Sequence, residues 1–490
     1  MKPFTDALKK NIEQTFTYSH AKNRHNYEGR AESYDSLSFF IKLLSAKNPF
    51  QILMELERVA FARAEKIILA HDIPCTPKQK KQARIYLEVT ERMVNEKSDV
   101  VAMFQEDLQG TGIVVYEKPF YLTTSETIQM HDIISRMPKQ QKAHNIVYEH
   151  ILSNQIKTSK EQMNAIKTCL SKQVSVLIGG AGTGKSFVTA EIIKQLQANN
   201  KKVEVLAPTH KAREALQEKI GTTSTVRTIH SFVHKPEKCD AIVIDESGML
   251  STPLLLNLLN HHTTEQLIFV GDKNQLPPIE YGRPFERIQK VFSTTELKEN
   301  KRSESSDIIG LGREILGLPF NANMQMKNII SVSTSAEAHA HGAEVVLSHM
   351  NNTVKQINEE RRVKNGIRSI SPFYSVGDKI IATTNDSGRF YNGQLFTITH
   401  PNRAVNQKTK KPIVFRSAKD LESNFQLAYG LTIHKSQGSE WDTVAYQPSA
   451  YDTQNLAYVA VTRAKKRLII IGNDIKSEYK PDKEWSQLIE

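Results

Sequence analysis

Apolar positions divide this chain into stretches of different texture. From residue 1 to about 109 they recur at spacings of three and four, as in Phe39, Phe40, Leu43 and Leu44, then Ile52, Leu56, Val59 and Ala60. That is the pattern of helices with one apolar face. Residues 111–122 read as a short hairpin turning at Glu117, Lys118 and Pro119, and Ser125 as the N-cap of a helix carrying Ile128, Ile133 and Ile134. Residues 1–150 are therefore expected to form a mostly helical N-terminal domain with a wing-like hairpin.

Beyond about Asn154, short apolar runs alternate with helical stretches. Strands are expected at 203–206, 241–244, 267–270, 344–347, 443–446 and 467–471. Such alternation predicts parallel α/β sheets, with ligands held at the C-terminal strand ends. Between 376 and 426 the pattern breaks into hairpins around Gly377 to Ala382 and Tyr391 to Ile398, with a basic turn at 408–412. A small β-barrel inserted into the second α/β domain fits. The expected layout is a first α/β domain over 151–300, a second over 301–375 and 427–490, and the barrel over 376–426.

Composition narrows the setting. No apolar run is long enough to cross a bilayer, and Met1-Lys2-Pro3-Phe4-Thr5-Asp6 does not begin a secretory signal. Cys75, Cys169 and Cys239 stand too far apart for a zinc knuckle or a disulfide framework, which fits reduced thiols in a cytoplasmic protein. A net charge of +12 favours a polyanionic partner without identifying it.

The chemistry is concentrated at strand ends. Val174-Ser175-Val176-Leu177-Ile178 runs into Gly179-Gly180-Ala181-Gly182-Thr183-Gly184-Lys185-Ser186. Glycines let backbone N–H groups turn inward around phosphate oxygens, and the helix that follows adds its positive end. Lys185 suits the β- and γ-phosphates, and Ser186 suits Mg²⁺. A second strand ends in Asp245-Glu246: Asp245 is expected to hold the Mg²⁺ shell, and Glu246 to orient and deprotonate water. A third runs into Gly271-Asp272-Lys273-Asn274-Gln275-Leu276-Pro277-Pro278, where Gln275 is placed to sense a γ-phosphate. His261-His262 reads as a structural helix end, and Lys78-Gln79-Lys80-Lys81 as a solvated face.

With these three segments the chain resembles superfamily 1 helicases, and more narrowly the superfamily 1B branch of RecD-like, Dda and Pif1 proteins. Further residues match that family's motifs from about Gln162 to Ile471. Gln162 resembles the adenine-reading Q motif. Pro208, Thr209 and His210, His230, and Asn351 resemble contacts to a single strand. Arg302, in Leu297-Lys298-Glu299-Asn300-Lys301-Arg302, resembles the arginine of motif IV. Leu431 to Glu440 is similar to motif V, which adds Thr432 and His434 to the strand contacts and Gly438 and Glu440 to the nucleotide contacts. Tyr458-Val459-Ala460-Val461-Thr462-Arg463-Ala464 is similar to motif VI, whose Arg463 would join Arg302 at the γ-phosphate.

The resemblance implies two RecA-like domains with ATP and Mg²⁺ in the cleft between them. Arg302 and Arg463 are expected to reach that cleft from the second sheet. It further implies a 5′→3′ single-stranded DNA translocase and helicase of replication, recombination or repair, acting on single strands and duplex junctions. A replication or recombination protein could dock on the N-terminal domain. An RNA helicase, and a nucleotide-gated remodeller of a protein partner, are the alternatives. Two family features have little room here. Only residues 233–240 separate Phe232 from the Ala241 strand, where relatives build a duplex-splitting pin. The inserted barrel is also too compact for a Dda-like tower.

Overall fold

The structure is a computed structural model that describes residues 158–472, with breaks at 222–223, 262–263, 302–304, 320–324, 365–373 and 387, and parts of 75–137. The chain divides into two compact units, Gln129–Ile380 with Leu427–Glu490, and Met1–Ile128 with Ile381–Gln426.

The larger unit holds two parallel sheets. The first has six strands: β4 (Val174–Gly179), β5 (Val203–Ala207), β6 (Val226–Thr228), β7 (Ala241–Ile244), β8 (Gln266–Gly271) and β9 (Ser293–Leu297). They lie in the order β6-β5-β7-β8-β4-β9, and every pair is parallel. β4, β7 and β8 are buried along their whole length, which explains why their sequences are apolar without alternation. The pleat still sorts side chains to opposite faces. Val174, Val176, Ile178, Ile242 and Ile244 enter one core, while Leu177, Ala241 and Val243 enter the other. Met130 and Ile134, on the helix expected after Ser125, complete the first of these cores.

At the start of β8 the buried Gln266 donates through Nε2 to the carbonyls of Cys169 (2.9 Å), Leu170 (3.4 Å) and Lys172 (2.9 Å). One side chain thus satisfies the orphan carbonyls at the end of the helix Lys160–Ser171. Cys169 is buried, and burial pushes its thiol up to about 12, as expected of a structural cysteine.

The second sheet comprises β10 (Ile329–Val332), β11 (Val345–Ser348), β17 (Gly430–Thr432), β18 (Trp441–Tyr446) and β19 (Ala464–Ile471). Their order is β10-β19-β18-β11-β17, again parallel throughout. All six expected strands exist. β6, β9, β10 and β17 were not expected, and β9 changes the reading of one motif. Its sequence Ser-Thr-Thr-Glu-Leu lies at the sheet edge with only Leu297 fully buried, so no apolar run announces it. The segment leading to Arg302 consequently hangs from the first sheet, not the second. Lys301 N donates to Gly182 O at 2.8 Å, within the phosphate loop. Arg302 itself lies outside the described residues.

In the smaller unit, β1 (Val101–Ala102), β2 (Ile113–Val115) and β3 (Tyr121–Thr124) form an antiparallel sheet in the order β1-β3-β2. The expected hairpin is present with a third strand added, while its turn and the helices expected before residue 75 fall outside the described residues. The expected insertion is a five-stranded sheet in the order β15-β14-β13-β12-β16, running from Lys379 in β12 (Lys379–Ala382) to Leu427 in β16 (Phe425–Leu427). β13 (Leu395–His400), β14 (Arg403–Asn406) and β15 (Pro412–Val414) pair antiparallel. Phe425 anchors it, with the rings of Phe390, Phe396 and Phe415 centred 4.7, 5.7 and 5.4 Å away.

Candidate nucleotide site and strand-contact face

Parallel register brings the ends of β4, β7 and β8 to one edge of the first sheet, since Ile178 pairs with Gly271 and Ile244 with Phe269. The phosphate loop leaves β4 there and runs into the helix Lys185–Ala198. Gly182 and Gly184 take left-handed φ values of 78° and 86°. A Cβ on Gly184 would sit 2.7 Å from Gln162 Nε2, and one on Gly179 would sit 2.6 Å from Thr183 Oγ1. Lys185 Nζ donates to Gly179 O at 2.5 Å and Gly180 O at 3.0 Å, and lies 3.9 Å from Asp272 Oδ2. Ser186 Oγ accepts from Lys219 Nζ at 3.2 Å. A loop with no room for a Cβ at Gly179 and a left-handed backbone at Gly184, with two ammonium groups and a helix N-terminus beside it, fits a nucleoside triphosphate.

Gln162 occupies the third position of its helix in a capping box with Ser159, donating N–H to Ser159 Oγ and accepting from Ser159 N. The cap uses its Oε1 and leaves the Nε2 end against Gly184. The same geometry that caps the helix holds this amide next to the loop.

Asp245 and Glu246 follow β7. Burial raises the Asp245 carboxyl above its ordinary range. Burial, reinforced by the Asp245 charge and opposed by Lys185, Arg463 and Lys219, pushes Glu246 up to about 6. A carboxyl tuned toward neutrality suits a general base, whereas an ordinary carboxylate is too weak. Glu246 also adopts φ 52°, a left-handed conformation uncommon outside glycine. Gln275 is buried, and its Oε1 has no hydrogen-bond partner among the described residues.

Groups from the second sheet reach this edge. Asn455 Nδ2 donates to Gln275 O at 3.2 Å. The Tyr458 hydroxyl accepts from Ala181 N and donates to Asp272 Oδ2, both at 2.9 Å. Arg463 caps the helix Gln454–Thr462 and is buried, with Nε donating to Val459 O (3.1 Å) and an Nη to Ser439 O (3.3 Å). Its positive charge opposes the upward shift of Glu246, so Arg463 lies within electrostatic reach of that carboxyl while its own hydrogen bonds stay in the second domain. Gly438, at φ 73°, packs against the other domain, where an added Cβ would lie 3.2 Å from Ala212 N. Glu440 immediately precedes β18.

The residues expected to hold a strand sit at helix starts. Pro208 is buried behind Thr209, whose hydroxyl accepts from Ala212 N to cap the helix His210–Ile220. Thr432 does the same for Lys435 N at the helix Ile433–Ser436. Each hydroxyl accepts from its helix and keeps an O–H to donate outward. His210 begins its helix, and burial, with the Arg213 and His230 charges, lowers its imidazole to about 4. His230 and His434 are exposed, as is Asn351 at the start of the helix Asn351–Lys364. Lys211 joins the two capped helices by donating Nζ to Lys435 O at 2.5 Å, with its ammonium 5.8 Å from the Trp441 ring centroid. Burial, with the Arg463 and Lys435 charges, lowers that ammonium to about 7.

Lys211, Asp272, Asn455 and Tyr458 were not singled out from the sequence. All four lie within or beside quoted motifs, but their pairing depends on how two sheets face each other. The connection from Lys235 to Asp240, where a pin was expected to have little room, is short and tied down by Lys202 N donating to Asp240 Oδ2 at 2.7 Å.

Two parallel-sheet domains, with a phosphate loop on one and a side chain of the other bonded to it, define a two-domain P-loop protein. Residues 157–315 match the AAA domain family, and residues 427–471 match the UvrD-like helicase C-terminal domain. The ATP-dependent RecD2 DNA helicase of Deinococcus radiodurans is 28% identical over 354 residues, which cover 64% of this chain and 49% of that protein. The RecBCD enzyme subunit RecD of Mycobacterium tuberculosis is 26% identical over 404 residues, covering 64% of this chain and 69% of the relative. A crystal structure of Bacteroides Pif1 bound to ssDNA aligns with a TM-score of 0.47 at 18% identity, over 68% of this chain and 96% of that one. The two matched segments thus resemble a nucleotide-binding AAA domain and a helicase C-terminal domain, and the relatives named above are RecD-type proteins. The chain spans about half the length of the RecD2 relative.

Proposed function

We propose that this protein is an ATP-driven translocase and helicase that moves 5′→3′ along single-stranded DNA and serves replication, recombination or repair. The observation that carries this reading is that second-domain side chains reach the nucleotide edge of the first sheet, Tyr458 at Ala181 in the phosphate loop and Asn455 at Gln275 beyond β8. ATP with Mg²⁺ would supply a triphosphate charge at the loop that is lost on hydrolysis. Lys185 and the loop N–H groups would bind it, and Ser186 and Asp245 would hold the metal. Gln162 would contact the base, with Gly438 and Glu440 completing the nucleotide contacts. Glu246 would take a proton from water, Gln275 would sense the γ-phosphate, and Arg302 and Arg463 would stabilise developing charge.

Thr209, His210, His230, Asn351, Thr432 and His434 would hold backbone phosphates without reading sequence, with Pro208 fixing the turn. Because Lys211 and Gly438 join the strand-contact helices of both domains, a change in the cleft would alter the spacing of those contacts. The domain limits given above and an SH3-like form for the insertion belong to this reading, as does a cytoplasmic location. Among the described residues no helix is long and apolar enough to cross a membrane.

Strand displacement on 5′-tailed and 3′-tailed substrates, in DNA and in RNA, tests the proposal. Displacement only from 3′ tails would refute the polarity, and preference for RNA would favour the alternative substrate. ATPase activity indifferent to any strand would refute the motor.

A further inference from the structure

Motif VI carries one side chain to which the nucleotide reading gives no role. Tyr458 projects from the helix Gln454–Thr462 of the second sheet to the phosphate loop of the first. Its ring is 4% exposed and packs against Gly312, where an added Cβ would fall 3.3 Å from the ring. A Cβ on Gly180 would fall 3.2 Å from its hydroxyl. That hydroxyl accepts the N–H of Ala181 and donates to Asp272, whose carboxylate faces Lys185. Burial and the neighbouring Asp272 charge hold the phenol well above its ordinary range, so it stays an O–H donor.

Inward-turned N–H groups of a phosphate loop are donors for phosphate oxygens. Ala181 has one N–H, and here it is aimed at tyrosine. A phosphate oxygen and the phenol cannot both receive it in good geometry. The same helix ends in Arg463, whose Nε is bonded to Val459, the residue after Tyr458. Whatever displaces Tyr458 therefore moves the backbone that positions Arg463.

We infer that Tyr458 is a positioning residue acting as a latch between the two motor domains, its hydroxyl competing with nucleotide phosphate for the Ala181 N–H. Filling the loop releases the helix Gln454–Thr462 and frees Arg463 to re-aim. The inference rests on the nucleotide site proposed above.

Tyr458→Phe keeps the ring and its packing while deleting both hydrogen bonds. Affinity for a fluorescent ADP, measured on the full chain without nucleic acid, should rise roughly three- to tenfold, the range expected for removing the one competing neutral bond, from Ala181 N–H to the phenol. A merely structural tyrosine would show the opposite, because loosening the loop weakens binding. Circular dichroism checks the fold, and Tyr458→Met provides a second hydroxyl-free variant with the same expected direction. Unchanged or weaker ADP binding in the folded variants overturns the latch while leaving the nucleotide site intact. Failure of the parent chain to bind ADP overturns both.

Discussion

Replacing Glu246 with glutamine should make the protein more stable and catalytically inert, with a gain that depends on pH. In the unfolded chain this carboxyl ionises near 4.5, whereas burial and the adjacent Asp245 charge push it up to about 6 in the fold. Between those values the folded state binds more protons, so stability falls as pH rises through the window. A difference of about 1.5 units at 1.36 kcal/mol each gives about 2 kcal/mol. Glu246 is partly exposed, so solvent screening reduces this to about 1–2 kcal/mol. Glutamine keeps the neutral shape at every pH and shares the left-handed backbone strain, which cancels from the comparison. Urea unfolding should therefore show Glu246→Gln more stable by that amount at pH 7.5, and by less than half of it at pH 5. Equal gains at both pH values, or none at pH 7.5, would refute the electrostatic account. The measurement needs no nucleotide, so it tests the site separately from catalysis. In the parent chain, ATP hydrolysis should correspondingly rise with pH through about 6 as Glu246 ionises.

Lys185→Ala should abolish ATP turnover while single-strand binding, read by fluorescence anisotropy, persists. Arg463→Ala should keep nucleotide affinity within a few-fold and lose hydrolysis rate on the order of a thousandfold, as removal of an arginine finger does elsewhere. Gln266→Leu removes the donor shared by three helix-end carbonyls and should cost about 1–3 kcal/mol in thermal or urea unfolding, with the phosphate loop left intact. The turn from Lys235 to Asp240 leaves no chain for a wedge there, so the intact protein should translocate on single strands better than it separates long duplexes; processive unwinding by the protein alone would contradict this.

The parts of this fold that could be read in the sequence are those whose physics is local. β4, β7 and β8 are buried on both faces, so each is a solid apolar run, and the phosphate loop is legible because its glycines and lysine are contiguous. β9 could not be read, because an edge strand with one fully buried residue carries no such signature. Its omission moved the approach to Arg302 onto the wrong sheet, although the Lys301 bond to Gly182 ties it to the first. The threonines were recognisable as polar groups at strand ends, but strand contact and helix capping call for the same hydroxyl at the same place. Only the hydrogen bonds to Ala212 and Lys435 reveal the second duty. What no local pattern could supply is the meeting of the two sheets. Tyr458 and Ala181 are 277 positions apart, and nothing in either segment names the other as a partner. Yet that contact is where nucleotide chemistry would become movement, since it joins the donor that phosphate needs to the helix that aims Arg463. The motifs name the candidate reagents; on the latch inferred above, their coupling would lie in a single hydroxyl whose partner sits on the other sheet.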